Sequence, residues 1–161
     1  MHEKGDCQES RYALNEESPH NDTIFVLNSQ FRDEKTGFDL YAGVVKCKGA
    51  HCTLKFKWYI PECDYRVLDT DYKEYAIVYS CMNILGIARR EYVWILTRDI
   101  EPKKELFDHT LKVLRERIPW YDLNNLYETK QGGNCRYLPL SELESKYDNM
   151  MKIEGGLFEK E

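Results

Sequence analysis

Six cysteines stand at positions 7, 47, 52, 63, 81 and 135 of a 161-residue chain. Thiols can form disulfides, ligate metals or act as nucleophiles, and their spacing discriminates among the three. Cys47 and Cys52 flank Lys48-Gly49-Ala50-His51, a four-residue hairpin loop. Cysteines paired across such a hairpin have Cα atoms ~4.5–5.5 Å apart, within disulfide range. His51 adds a third ligand at most, short of the four of a structural zinc site, so no metal and no cofactor is assigned. A catalytic thiol would need an activating neighbour, and no His or Lys is placed to serve one. So many cysteines in a short chain favour an oxidising compartment. Asn21-Asp22-Thr23 follows the turn-like Ser18-Pro19-His20 and offers a glycosylation site at Asn21. Met1-His2-Glu3-Lys4-Gly5-Asp6 is too polar for a signal peptide. The expectation is a secreted glycoprotein with an incomplete N-terminus.

The elements that position these residues are mostly strands. Aromatics make up 13% of the chain and 12 of them are tyrosines, side chains suited to strands and to apolar pockets with one polar handle. Alternating runs predict strands at Gln8–Leu14, Thr23–Phe31, Phe38–Cys47, Cys52–Ile60, Tyr65–Thr70, Tyr75–Met82 and Tyr92–Thr97. The short links between them require antiparallel neighbours. In Thr53-Leu54-Lys55-Phe56-Lys57-Trp58 the lysines face water while Leu54, Phe56 and Trp58 face inward. A helix follows the strands, opened near Pro102 and closed at Ile118-Pro119, with Phe107, Leu111, Leu114 and Ile118 as its apolar stripe. A last short strand is expected near Asn125–Glu128. Beyond it, Leu143, Tyr147 and Met150 suggest a short helix in a loosely ordered tail at 141–161, which leaves one domain at 1–140. The net charge of −5, with no basic block, disfavours nucleic acid and anionic membranes. No apolar run approaches the ~20 residues of a membrane span.

Tyr65-Arg66-Val67-Leu68-Asp69-Thr70-Asp71-Tyr72-Lys73-Glu74-Tyr75, followed by Tyr92-Val93-Trp94-Ile95-Leu96-Thr97-Arg98, resembles two conserved blocks of the lipocalins. Trp58-Tyr59-Ile60-Pro61 and Val26-Leu27-Asn28 are similar to the apolipoprotein D and bilin-binding branch of that family. The resemblance runs from about Cys7 to Cys135. The opening Gly-x-Trp block is absent. The fold implied is all-β: an antiparallel up-and-down barrel whose first strand is missing, with one C-terminal α-helix packed outside.

The resemblance implies a calyx for a small hydrophobic molecule, such as a fatty acid, sterol, retinoid or bilin-like compound. The positions matching its lining are Tyr12, Asn28, Phe56, Tyr65 and Trp94, to which alternation adds Trp58. It also implies a Cys7–Cys135 disulfide, and a partner for Cys81 ahead of the first strand. Hairpin register puts Cys81 almost opposite Asp64, which makes Cys63 a stand-in partner. Thr70, Asp71 and Tyr72 are expected to form a structural turn, and Arg98 to close the barrel base rather than clamp a carboxylate. The function implied is ligand transport without chemistry. The alternatives are a lipid-isomerising enzyme of the prostaglandin D synthase type and a protein-interaction or immune-modulating lipocalin. Ile84-Leu85-Gly86-Ile87 is an apolar loop at the mouth, able to touch a protein or a membrane.

Overall fold

The computed structural model describes residues 6–15, 22–49, 51–56, 61–84, 86–139, 141–142 and 145. Seven strands follow one another: β1 (Gln8–Leu14), β2 (Thr23–Asp33), β3 (Gly37–Lys48), β4 (His51–Lys55), β5 (Cys63–Thr70), β6 (Tyr75–Ile84) and β7 (Ala88–Thr97). All neighbours are antiparallel and the sheet order is β1 to β7, so β1 and β7 are its two edges. The sheet is curled into a half-barrel. A hydrogen bond between the hydroxyls of Tyr12 on β1 and Tyr65 on β5 crosses the hollow at 2.9 Å. The strand predicted for Cys52–Ile60 has its ladder up to Lys55, and residues 57–60 lie outside those described.

Alternation along each strand divides the sheet into two apolar faces. The concave face holds Val26, Val45, Cys52, Leu54, Cys63, Tyr65 and Val78, with Phe56, Met82, Trp94 and Leu96 against them. The convex face holds Ile77 and Tyr79, and α1 (Lys104–Arg117) covers it with Val113, Leu114 and, just past its end, Ile118. Leu27, Phe38, Leu40 and Ala42 also face outward, beneath Leu138.

Two local readings are corrected. Phe107 does not belong to the packed face of α1 and is 40% exposed, whereas Thr110 is fully buried. The Thr110 hydroxyl donates to the Phe107 carbonyl at 2.7 Å, so this polar side chain enters the interface already satisfied. The strand expected near Asn125–Glu128 does not form. Asp122 accepts from the Asn124 backbone N–H and starts a 3-10 turn at Leu123–Asn125 instead. The tail helix expected around Leu143, Tyr147 and Met150 falls outside the described residues.

The segment after that turn is strapped along β1. The backbone N–H of Cys7 donates to Lys130 O, Gln131 Nε2 donates to Gln8 O, and Arg11 reaches Leu138 O. Cys7 and Cys135 are joined there by a disulfide with a Cα separation of 5.1 Å.

Candidate functional site

The strand register decides which side chains line the hollow. Val26 is inward and pairs with Tyr12 and Gly43, so Tyr12 is inward too. Asn28, two residues along β2, shares that face between Ser10 and Tyr41. Tyr65 pairs with Cys52 and Ser80, and Val78 pairs with Trp94. Phe56 continues the inward side of β4 beyond Leu54. Gly43 makes room for it: a Cβ there would stand 3.0 Å from both the Phe56 ring and Leu54. The structure therefore brings Tyr12, Asn28, Phe56, Tyr65 and Trp94 onto one concave wall. Trp58 and Asn21 lie outside the described residues.

The aromatic members touch in series. Tyr92 and Trp94 stack with ring centroids 5.5 Å apart and planes 8° apart. Trp94 and Tyr65 lie at 6.5 Å, and the Tyr65 hydroxyl meets that of Tyr12. Burial, together with Tyr12, pushes the Tyr65 phenol far above its usual range, so it remains a neutral hydrogen-bonding group. Ser80 is a further buried polar group on this wall. The Asn28 Oδ1 atom is buried with no hydrogen-bond partner among the described residues. An unpartnered acceptor in that position costs free energy unless a donor arrives.

Tyr92 and Arg90 were not singled out from sequence, yet both line the wall. Counting back in twos from Trp94 reaches them, because inward residues alternate. The guanidinium of Arg90 lies 5.4 Å from the Tyr92 ring centroid.

The cysteines divide by face. Cys47 and Cys52 are directly opposed on β3 and β4 and form a disulfide. Cys63 and Cys81 are free thiols, which corrects the pairing expected for them. The β5–β6 register sets Asp64, not Cys63, opposite Cys81. A one-residue offset reverses the face, so Cys63 packs inside while Cys81 lies on the convex side. Burial raises the pKa of the Cys63 thiol, which donates to Leu54 O at 3.4 Å. A thiol held protonated is a poor nucleophile. Cys81 instead accepts a hydrogen bond from Arg89 Nε at 3.0 Å.

Thr70, Asp71 and Tyr72 build the β5–β6 turn. Asp71 Oδ1 accepts from the backbone N–H groups of Lys73, Glu74 and Tyr75, and these bonds hold its carboxyl below the usual range. Tyr72 takes the left-handed conformation (φ 62°), and its N–H donates to Thr70 Oγ1. The Arg98 side chain is exposed just past β7, while its backbone N–H bonds Glu74 O. Antiparallel order puts this turn and Arg98 at one end of the hollow. The β2–β3 hairpin, the link from β4 to β5 and the β6–β7 turn are at the other. Ile87, at the β6–β7 turn, is 89% exposed, and the side chains of Ile84 and Leu85 are outside the described set.

Among the described residues, a single curled antiparallel sheet carries an aromatic concave wall and has one long helix on its convex side, the architecture of an open barrel with a hollow. The model of the lipocalin / cytosolic fatty-acid binding protein family matches residues 18–132, and the chain belongs to that family. Apolipoprotein D of Macaca fascicularis is 36% identical over 115 residues, covering 70% of this chain and 59% of its own length. Apolipoprotein D of Cavia porcellus is 35% identical over 138 residues, covering 83% of this chain and 68% of its own. Several of these curated relatives are matched over little more than half their length, 51% for the Bos taurus protein. Lobster apocrustacyanin A1 superposes with a TM-score of 0.66 at 15% identity, over 83% of this chain and 71% of that one. The cockroach allergen Per a 4 superposes with a TM-score of 0.57 at 22% identity, over 80% of this chain and 74% of that one. These two show the shared fold.

Proposed function

We propose that this protein binds a small hydrophobic molecule against its concave wall and carries it outside the cell without chemical change. The observation that carries this is the Asn28 oxygen, buried without a partner among the described residues on a wall of stacked aromatic rings. Apolar burial supplies the affinity, at roughly 25 cal/mol per Å². A donor on the ligand, such as a hydroxyl, satisfies Asn28 and fixes orientation. The wall positions Tyr12, Phe56, Tyr65 and Trp94 supply the apolar contact, and Trp58 is proposed to extend it.

Cys63 is the free thiol facing the hollow, and its raised pKa favours carriage over isomerisation. The two disulfides support an oxidising, extracellular setting.

Tryptophan fluorescence during titration with retinol tests the proposal. Trp94→Ala is expected to weaken binding by about 1–3 kcal/mol, the worth of one well-buried ring. Trp120→Ala is the control, since Trp120 is 61% exposed on the convex side, where its indole N–H bonds Glu91. Equal affinity with and without Trp94 in folded protein would overturn the assignment of the wall.

A further inference from the structure

The bond between the Tyr12 and Tyr65 hydroxyls divides the hollow along its length. It joins β1 to β5 at 2.9 Å, between strands that are not neighbours. Strands β1, β5 and β7 run in the same direction, so residues before and after the pair fall on opposite sides of it. Toward the β6–β7 turn lie Asn28 in register with Ser10, the Cys63 thiol and the Tyr92 ring. Toward the β5–β6 turn the inward rows continue as Leu14 opposite Ile24, Val67 opposite Val78, and Leu96. This second stretch of wall is apolar and open. Tyr65 at the bond is 6% exposed, whereas Val67 is 37% exposed and Leu14 50%.

We propose that the Tyr12–Tyr65 pair is a bar that sets how deep a ligand reaches, so that the protein selects ligands by the length of their apolar chain. This rests on the binding function proposed above and narrows the class of ligand within it. A chain entering from the side of the β6–β7 turn runs along Tyr92 and Trp94, whose ring lies 6.5 Å from that of Tyr65, and stops at the bar. Hydrocarbon cannot replace the hydrogen bond it would have to break. Passing the bar therefore strands the buried Tyr65 hydroxyl, at a cost that the burial of further methylenes must first offset.

The two ends of the bar are suited to different parts. Tyr65 is fixed among Cys52, Cys63 and Val78 in the concave core. Tyr12 is 44% exposed on the edge strand and is the ring with room to move. Beyond it, the two residues from Tyr12 to Leu14 cover roughly 7 Å of wall at the rise of an antiparallel strand, which is space for a longer chain once the bar is gone.

The test is calorimetric titration of the full chain with straight-chain primary alcohols from octanol to tetradecanol, beside retinol. Affinity is expected to rise about fourfold per methylene, the worth of burying one CH2, and then to level off at the length that meets the bar. Tyr12→Ala, which removes the ring, should move the levelling-off to a longer chain. Tyr65→Phe keeps both rings and loses only the bond, and should move it in the same direction. Trp120→Ala, on the convex side, should leave it in place. A shift in either tyrosine variant supports the bar, because a merely structural role would change stability without changing the length at which affinity levels off. The same length in both folded variants overturns it and leaves the binding function standing. If retinol binds and no alcohol does, the length selection likewise falls alone. If neither retinol nor any alcohol binds, the binding function falls and the bar with it.

Discussion

The hydroxyls of Tyr12 and Tyr65 meet at 2.9 Å although their strands, β1 and β5, are not neighbours in the sheet. This bond ties the edge strand to the middle of the curled wall across the hollow. Its two ends are unequal: Tyr65 is 6% exposed and Tyr12 is 44% exposed. Removing one hydroxyl therefore has different consequences depending on which is lost. Tyr65→Phe leaves a half-exposed Tyr12 that can turn to water, and should cost about 0.5–1.5 kcal/mol. Tyr12→Phe strands a buried hydroxyl and should cost more, about 1–3 kcal/mol. Urea denaturation of the two variants reads the order directly, and the reverse order would show that the buried Tyr65 hydroxyl does not depend on Tyr12 for its hydrogen bond.

The β5–β6 turn should be sensitive to acid. The Asp71 carboxylate caps three backbone N–H groups, and its folded pKa is depressed below the ordinary value near ~3.9. For a depressed carboxyl the stabilisation is fully present above the unfolded pKa. It is lost as pH falls through the folded pKa. Asp71→Asn keeps an oxygen acceptor but removes the charge. Its melting temperature should lie below wild type at neutral pH, and the gap should close as the pH drops below about 4. A gap that stays constant down to strong acid would mean that charge plays no part in the cap.

How far these features were legible in the sequence differs by element. Tyr65 stands between Asp64 and Arg66, so strand period agrees with its inward direction, whereas Trp94 lies in the unbroken apolar run Tyr92–Leu96, where period alone does not choose a face and the family resemblance supplied it. Arg90 obeys the same period, but its charge disguises it as an outward residue, and only the opposed Met82 reveals the face. On α1 the large ring of Phe107 suggested a packing position, whereas the buried place belongs to Thr110. The Thr110 hydroxyl is satisfied within the helix, and that local bond is invisible to a hydrophobic count. Near Asn125–Glu128, strand propensity lost to the cap offered by Asp122. Polar side chains hide their burial whenever a local backbone bond or an aromatic face stands in for water.

The thiols provide the last prediction. Cys81 is opposed by Asp64, so Cys63 points through the opposite face of the sheet and no Cys63–Cys81 bond can form without a register slip. Non-reducing peptide mapping should recover Cys7 with Cys135 and Cys47 with Cys52, leaving two alkylatable thiols. Those two should differ in rate. Cys81 is partly exposed and should react in the folded protein, while buried Cys63 should react only on unfolding. The two disulfides should also differ in worth. The Cys7–Cys135 bond spans 128 residues and constrains the unfolded chain by up to about 5 kcal/mol in the loop-entropy treatment. The Cys47–Cys52 bond, with a separation of only 5, constrains far less. The Cys7→Ser, Cys135→Ser double variant should therefore melt well below the Cys47→Ser, Cys52→Ser one. Recovery of a Cys63–Cys81 peptide from folded protein would mean that the β5–β6 register is shifted by one residue. Tyr65 would then face outward, and the concave wall built on it would be wrong.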